Sequence, residues 1–166
     1  MDDVNDVLQF EQKNREFFRP FYIKQDPDFY TLDFQQKSIQ QKIEKAEKGT
    51  DYYFGIFKVD NDELIGSIGL YRVNRGPVQN AIIGYSLSQE HNGKGYTTEA
   101  VKLVVDYAFT TLNLHRLEAG VMPHNIGSIR VLEKAGFEKE GIARKNVKIN
   151  DRWEDHQILS IINPAD

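Results

Sequence analysis

The stretch Gln89-Glu90-His91-Asn92-Gly93-Lys94-Gly95-Tyr96-Thr97-Thr98-Glu99-Ala100 separates two runs of different periodicity. The run before it, Ala81 to Ser88, reads as a strand. The run after it, Thr98 to Leu112, sets Val101, Val104, Val105, Ala108 and Leu112 at helical spacing. A strand must therefore hand over to a helix through a glycine-spaced loop. Such a loop leaves backbone N–H groups unpaired at a helix N-terminus, where the dipole adds partial positive charge. That is an anion site shaped for a phosphate or pyrophosphate. Taken alone, the same residues are equally well explained as a simple strand-to-helix turn, in which Asn-Gly is common.

The rest of the chain places this loop in an α+β (α/β mixed) arrangement. Val4, Val7, Leu8, Phe17 and Phe18 mark a first helix that ends near Pro20, because the residue before a proline is pushed from helical angles. A second helix runs from about Leu32 to Lys48 and stops at Gly49. Strands follow over Tyr52 to Val59 and Glu63 to Val73, joined by Asp60-Asn61-Asp62, and then Ala81 to Ser88 after the Arg75-Gly76-Pro77 turn. Beyond the long helix, His115 to Met122 alternates as a strand, with Leu117, Ala119 and Val121 on one face. A short helix opens at Asn125 and stops at Gly136, and strands over Ile142 to Ile149 and Trp153 to Ile162 flank the Asn150-Asp151 turn. Consecutive strands first, then strands alternating with helices, predict a mixed sheet covered by helices on both faces.

Composition narrows the function classes. A chain of 166 residues fits one domain, 1–166, with one sizeable core, and no linker or repeat divides it. It has no cysteine, which removes disulfides and thiolate metal sites. A net charge of −4 argues against nonspecific nucleic-acid binding and suits a cationic ligand. No run is apolar enough to span a membrane, and Met1-Asp2-Asp3 does not open a secretory signal. The expectation is a soluble cytoplasmic domain. The histidines (His91, His115, His124, His156) are scattered without helical ligand spacing, so no metal site is expected.

Three segments in order resemble the GNAT superfamily of acetyl-CoA-dependent N-acetyltransferases, closest to the Rim-type branch that acetylates N-termini of ribosomal proteins. The loop Asn92 to Ala100 looks like that branch's pyrophosphate loop. Asn125-(x)2-Ser128 with Val131-Leu132-Glu133-Lys134-Ala135-Gly136-Phe137 looks like its second signature. Asp151-Arg152-Trp153-Glu154-Asp155 looks like its last hairpin. The resemblance implies a splayed central sheet. It covers roughly residues 1 to 162, with two departures. The chain starts directly in a helix where family members begin with a strand, so the first strand is absent or the N-terminus is non-standard. Asn92 and Thr97 also stand where Gln or Arg, and Gly or Ala, are usual; the bulkier Thr97 is expected to shift the pantetheine contact.

From the resemblance, Gly93, Lys94, Gly95, Tyr96 and Thr97, with Asn92, would bind the CoA pyrophosphate through backbone N–H groups. Backbone around Leu87 would hold the pantetheine and stabilise an oxyanion. Lys94 reads equally as a solvated lysine. Asn125 and Ser128 have the spacing of an N-cap and the third helical residue, which alone accounts for the asparagine. The resemblance adds that Asn125 touches the pantetheine arm and that Ser128 protonates the departing thiolate, with Tyr85 as substitute. For a general base, Glu118 faces away from Leu117, Ala119 and Val121, and Glu90 ends the strand beside the loop; either is otherwise a solvated carboxylate. Phe17, Phe18, Phe21 and Tyr22 could line a substrate cleft or simply belong to the core.

The expected activity is direct acetyl transfer from acetyl-CoA to a primary amine, with no metal. The resemblance favours a protein N-terminus, possibly ribosomal, and leaves polyamines, aminoglycosides and other small amines open. The alternative is a CoA-binding or protein-interaction module of the same fold without turnover. An exposed sheet edge is compatible with a homo-oligomer.

Overall fold

The computed structural model describes residues 3–166. Helix α1 (Val4–Phe18) and α2 (Leu32–Glu47) come first, then strands β1 (Tyr52–Phe57), β2 (Leu64–Asn74) and β3 (Asn80–Leu87). After the glycine loop come α3 (Tyr96–Thr110), β4 (Arg116–Val121), α4 (Ile126–Lys134), β5 (Glu138–Ile149) and β6 (Arg152–Ile162). The strands form one six-stranded sheet in the order β1-β2-β3-β4-β6-β5. Every neighbouring pair is antiparallel except β3 and β4. This is the mixed α+β class that the sequence predicts.

Alternation along the strands decides which helices cover which face. Ile68 and Leu70 of β2, Ala81 and Ile83 of β3, and Leu117, Ala119 and Val121 of β4 pack with α3 and α4 in the main core. Helix α3 gives that core Ala100, Val101, Val104, Val105 and Ala108, and α4 gives Ile129 and Leu132. Burying these side chains, at about 1.5–3 kcal/mol for each large one, is what holds the loop between β3 and α3 in place. Helices α1 and α2 pack against each other and reach β2 and β1 respectively. Helix α1 buries Val4, Phe10, Asn14 and Phe18.

The structure agrees with the sequence reading at the N-terminus and at the last turn, and departs from it at the starts of α3 and β5. Among the described residues no strand precedes α1, and β1 is an open edge of the sheet with Phe54, Phe57 and Val59 exposed. Helix α3 starts at Tyr96, two residues earlier than the apolar pattern suggested, because Thr97 is buried as part of its first turn. Strand β5 starts at Glu138 rather than Ile142; Glu138 and Lys139 pair with Ser160 and Leu159 although their charged side chains carry no strand signal. The Asn150-Asp151 turn holds both residues at positive φ (46° and 66°), the geometry of a tight two-residue hairpin.

The parallel pair shapes the site. β3 and β4 are in register only at Asn80↔Arg116, Ala81↔Leu117 and Ile82↔Glu118. Beyond Ile82 the strands part, while β4 stays paired to β6 as far as Val121↔Gln157. The side of β3 facing β4 is therefore left open from Ile83 to Leu87. A gap opens inside the sheet.

Candidate active site

The glycine loop sits at the open end of this gap. Gly93 and Gly95 adopt φ of +77° and +88°, and a Cβ on either would meet nothing within 4 Å. Glycine is needed there for the backbone conformation and leaves clear space above the loop. Gly95 caps α3 without any side-chain hydrogen bond, and the first intrahelical bond is Glu99 N to Gly95 O at 3.1 Å. The N–H groups of Tyr96, Thr97 and Thr98 thus precede that bond and point out of the helix start. Upstream, Asn14 Oδ1 accepts from Gln89 N at 3.1 Å, and Lys13 pairs with Glu90, so α1 anchors the segment entering the loop.

Helix α4 brings the second group of residues. Asn125 Oδ1 accepts from Ser128 N at 3.3 Å, which makes Asn125 the N-cap of α4 and leaves its amide nitrogen outside that bond. Ser128 Oγ lies 2.8 Å from the Tyr85 hydroxyl, which is also 3.1 Å from the Ser128 carbonyl oxygen. The phenol's single proton goes either to that carbonyl or to the serine oxygen, and in the second arrangement the Ser128 hydroxyl proton is free for another acceptor. Burial pushes the Tyr85 phenol up to about 12, with the bond to Ser128 opposing the rise. It is therefore a neutral donor throughout the physiological range.

A cleft of about 410 Å³ joins these parts. One end holds Asn92, Gly93, Gly95, Tyr96, Thr97 and Thr98; its middle holds Tyr85, Leu87, Asn125 and Ser128; and Phe17, Phe18, Phe21 and Tyr22 of α1 and the following turn close it. Tyr85 and its neighbour Ser86 both line it, although successive strand residues point to opposite faces. The Ser86 hydroxyl lies 3.1 Å from that of Ser67 on the face that Tyr22 also lines, whereas Tyr85 bonds to α4. The cleft therefore passes through the sheet at the gap, open to a ligand from each face. The aromatic cluster lines the cleft, with Phe18 also part of the buried interior.

The structure brings together Leu87, Asn92, Gly93, Gly95, Tyr96, Thr97, Asn125 and Ser128. It keeps three other candidates outside the lining. Lys94, within the loop, is exposed and its side chain does not line the cleft. Glu118 faces away from the main core, as its alternation predicted, but accepts from Arg116 Nε at 2.8 Å; Arg116 also grips Glu140, which accepts from Ser160. Glu90 is held by Lys13, whose hydrogen bond keeps its carboxyl below the usual range. Ser86 and Lys134 line the cleft without having been singled out from the sequence. The helical spacing of Lys134 from Ser128 and Val131 was the available signal for it.

The histidine reading missed one grouping. His91 lies with Glu63 and Glu90, their donor atoms all within 4.8 Å of one another. His91 Nδ1 bonds to Ser88 Oγ and Lys13 occupies Glu90, so the group is satisfied internally. Among the described residues, no helix is long and apolar enough to cross a membrane.

A helix start with free amides, beside a hydroxyl pair at the gap between diverging strands, is an arrangement suited to an anionic acyl carrier. Residues 1–138 match the family described as Acetyltransferase (GNAT) domain, and the chain belongs to that family. It is an acetyl-CoA-dependent N-acetyltransferase. Over 164 residues, 99% of this chain and 91% of the other, it is 57% identical to a protein named probable N-acetyltransferase YjcK from Bacillus subtilis (strain 168). The ribosomal-protein-S5-alanine acetyltransferase of Vibrio fischeri superposes with a TM-score of 0.94 at 32% identity, covering 98% of this chain and 89% of that one. Mycobacterium smegmatis RimJ, solved in complex with CoA-disulfide, gives 0.91 at 26% identity over 97% and 78%.

Proposed function

We propose that this chain transfers acetyl from acetyl-CoA to the N-terminal α-amine of a protein, a ribosomal protein being the first candidate. The reading of the chemistry is carried by one observation: the cleft crosses the sheet beside the Tyr85–Ser128 pair. The similarity to the S5-alanine acetyltransferase supports the choice of acceptor.

In this reading the amides of Gly93 to Thr97 hold the diphosphate of CoA, with Asn92 beside them. The family's cosubstrate fits the donor set, since the amides at the start of α3 are free and Gly95 carries no side chain over them. The Asn125 amide and the unpaired backbone around Leu87 would receive the pantetheine. The α-amine approaches from the α1 side, its nitrogen forms a bond to the acetyl carbon, and a backbone N–H near Leu87 stabilises the oxyanion. The nitrogen passes its surplus proton to water, the C–S bond breaks, and the departing thiolate takes a hydrogen bond from Ser128, which Tyr85 orients, before solvent protonates it. A thiol has a reference pKa near 8.5, so a neutral hydroxyl donor assists departure without itself becoming a strong acid.

The base requirement depends on the acceptor. An α-amine with a reference pKa near 8 is roughly a tenth neutral at pH 7, whereas a lysine or polyamine nitrogen is neutral about once in several thousand. An α-amine therefore reacts without an adjacent carboxylate base. That suits a site in which Glu118 is tied to Arg116 and Glu90 to Lys13. Glu118→Gln and Glu90→Gln should each keep kcat/KM within about threefold on an N-terminal peptide, well short of the loss expected for a general base.

The deciding measurement is acetyl-CoA consumption with N-terminal peptides and with polyamines. Transfer to the α-amine, located by mass spectrometry, supports the reading. Transfer to polyamines alone overturns the acceptor. Tight CoA binding with transfer to no amine favours the non-catalytic module.

A further inference from the structure

Tyr22 serves two concavities. Besides closing the cleft, it forms a wall of a second groove of about 350 Å³, lined also by Arg15, Arg19, Lys24, Tyr30, Asn150 and Asp151. The groove's sign is opposite to that of the whole molecule. Three cationic side chains face one carboxylate, in a chain whose net charge is −4.

The cations are positioned rather than scattered. The Arg15 guanidinium lies over the Tyr30 ring, 4.3 Å from its centroid. Stacking of that kind holds the group while leaving its in-plane N–H donors free for a carboxylate. Arg19 reaches Glu16 at 3.4 Å and Lys24 reaches Asp151 at 4.0 Å, each pair of side chains more than seven-tenths exposed. Such pairs are weak and readily exchanged for another carboxylate. Asn150 Nδ2 donates to the Arg19 carbonyl at 2.7 Å, which pins the β5–β6 turn to the end of α1 and keeps the two walls together.

We propose that this groove receives the residues following the acceptor's reacting end, and that it selects N-termini bearing Asp or Glu in their first few positions over cationic acceptors. The inference rests on the protein N-terminus reading above. An extended peptide advances roughly 3.3 Å per residue. With its amine between Leu87 and Tyr85, the chain passes Tyr22 and its next side chains lie among Arg15, Arg19 and Lys24. The amine itself is not opposed, because it attacks in the neutral form that neighbouring cations favour. A polyamine, charged along its length, meets like charge throughout the groove.

The test uses three peptides that share their first two residues and continue with Glu-Asp, Gln-Asn or Lys-Lys, with spermidine as a fourth acceptor. The acidic peptide should exceed the lysine peptide in kcat/KM about five- to tenfold at low ionic strength, the size expected of two or three exposed charge pairs. That ratio should shrink at about 0.5 M salt, where the screening length falls to a few ångströms. It should fall to unity or below in Arg15→Glu/Arg19→Glu. Both peptides are measured on the same preparation, so partial loss of folded protein cancels in the ratio. Equal rates for the acidic and lysine peptides, or a preference that survives the charge reversal, overturn the proposal while leaving the N-terminal acceptor standing. Acetylation of spermidine with no transfer to any peptide overturns both.

Discussion

At the residue scale, the loop and the hydroxyl pair make separate demands that substitutions can isolate. Gly95 sits at φ +88° with open space where a Cβ would go, so a side chain there strains the backbone without a clash. Gly95→Ala should cost about 1–2 kcal/mol of stability and leave CoA binding within a few-fold. Gly95→Asp adds a carboxylate beside the diphosphate position and should weaken CoA binding by roughly 100-fold or more, on the scale of like charges in close contact. Isothermal titration with CoA separates the two, and equal affinities for both variants would remove the diphosphate from this helix start. Ser128 and Tyr85 make a different prediction because they share one hydrogen bond. Ser128→Ala and Tyr85→Phe should each lower kcat by about 10- to 100-fold with little change in KM for acetyl-CoA, at or below the lower end for loss of a general acid, as befits a hydrogen-bond donor to a good leaving group. If they act as a unit, the double variant should be no worse than the poorer single one. Multiplicative losses in steady-state kinetics would show two independent roles.

At the scale of elements, the contact between α1 and α2 carries a half-buried carboxyl and ammonium that the reaction does not require. Burial lifts the Glu11 carboxyl from 4.5 to about 7, with Lys42 opposing the rise, and burial lowers Lys42 itself. A carboxyl raised in the folded state supports folding fully below its unfolded value, and that support is lost as pH climbs through its folded value. Between pH 4.5 and about 7, Glu11 should therefore withdraw on the order of 3 kcal/mol at most. Denaturant melts across that window should show stability falling relative to Glu11→Gln, and parallel curves for the two proteins would contradict the burial. The sequence could not disclose this pair, since Glu11 and Lys42 each sit in helices that look amphipathic and solvated. What it did disclose was local. Helical spacing marked α2 and α3, Asn125 announced its own capping role, and alternation correctly turned Glu118 away from the core. What lies opposite Glu118 depends on Arg116 and, through it, on Glu140 in a stretch of β5 without strand patterning. Glu90 is likewise claimed by Lys13, a partner 77 positions away. Periodicity reports which way a side chain faces and is silent on what meets it there.

For the molecule as a whole, the parting of β3 from β4 decides the order of chemical events. Pairing stops at Ile82↔Glu118, and the cleft that opens below is lined from both faces of the sheet, Tyr85 and Ser128 on one and Ser86 and Tyr22 on the other. In the proposed reading two substrates occupy it together, the thioester entering from the α3 and α4 side and the amine from the α1 side. A double-displacement route would need a nucleophile to carry the acetyl group between them. The chain has no cysteine, and the Ser128 hydroxyl is paired with a phenol rather than with a base that could activate it. Transfer should pass directly from sulfur to nitrogen within a ternary complex. Double-reciprocal plots of initial rate, varying acetyl-CoA at several fixed peptide concentrations, should give lines that intersect. Intact mass measured after incubation with acetyl-CoA alone should show no stoichiometric gain of an acetyl group. Parallel lines with an acetylated Ser128 would mean that the serine attacks the thioester, and its assignment as the donor to the leaving sulfur would have to be reversed.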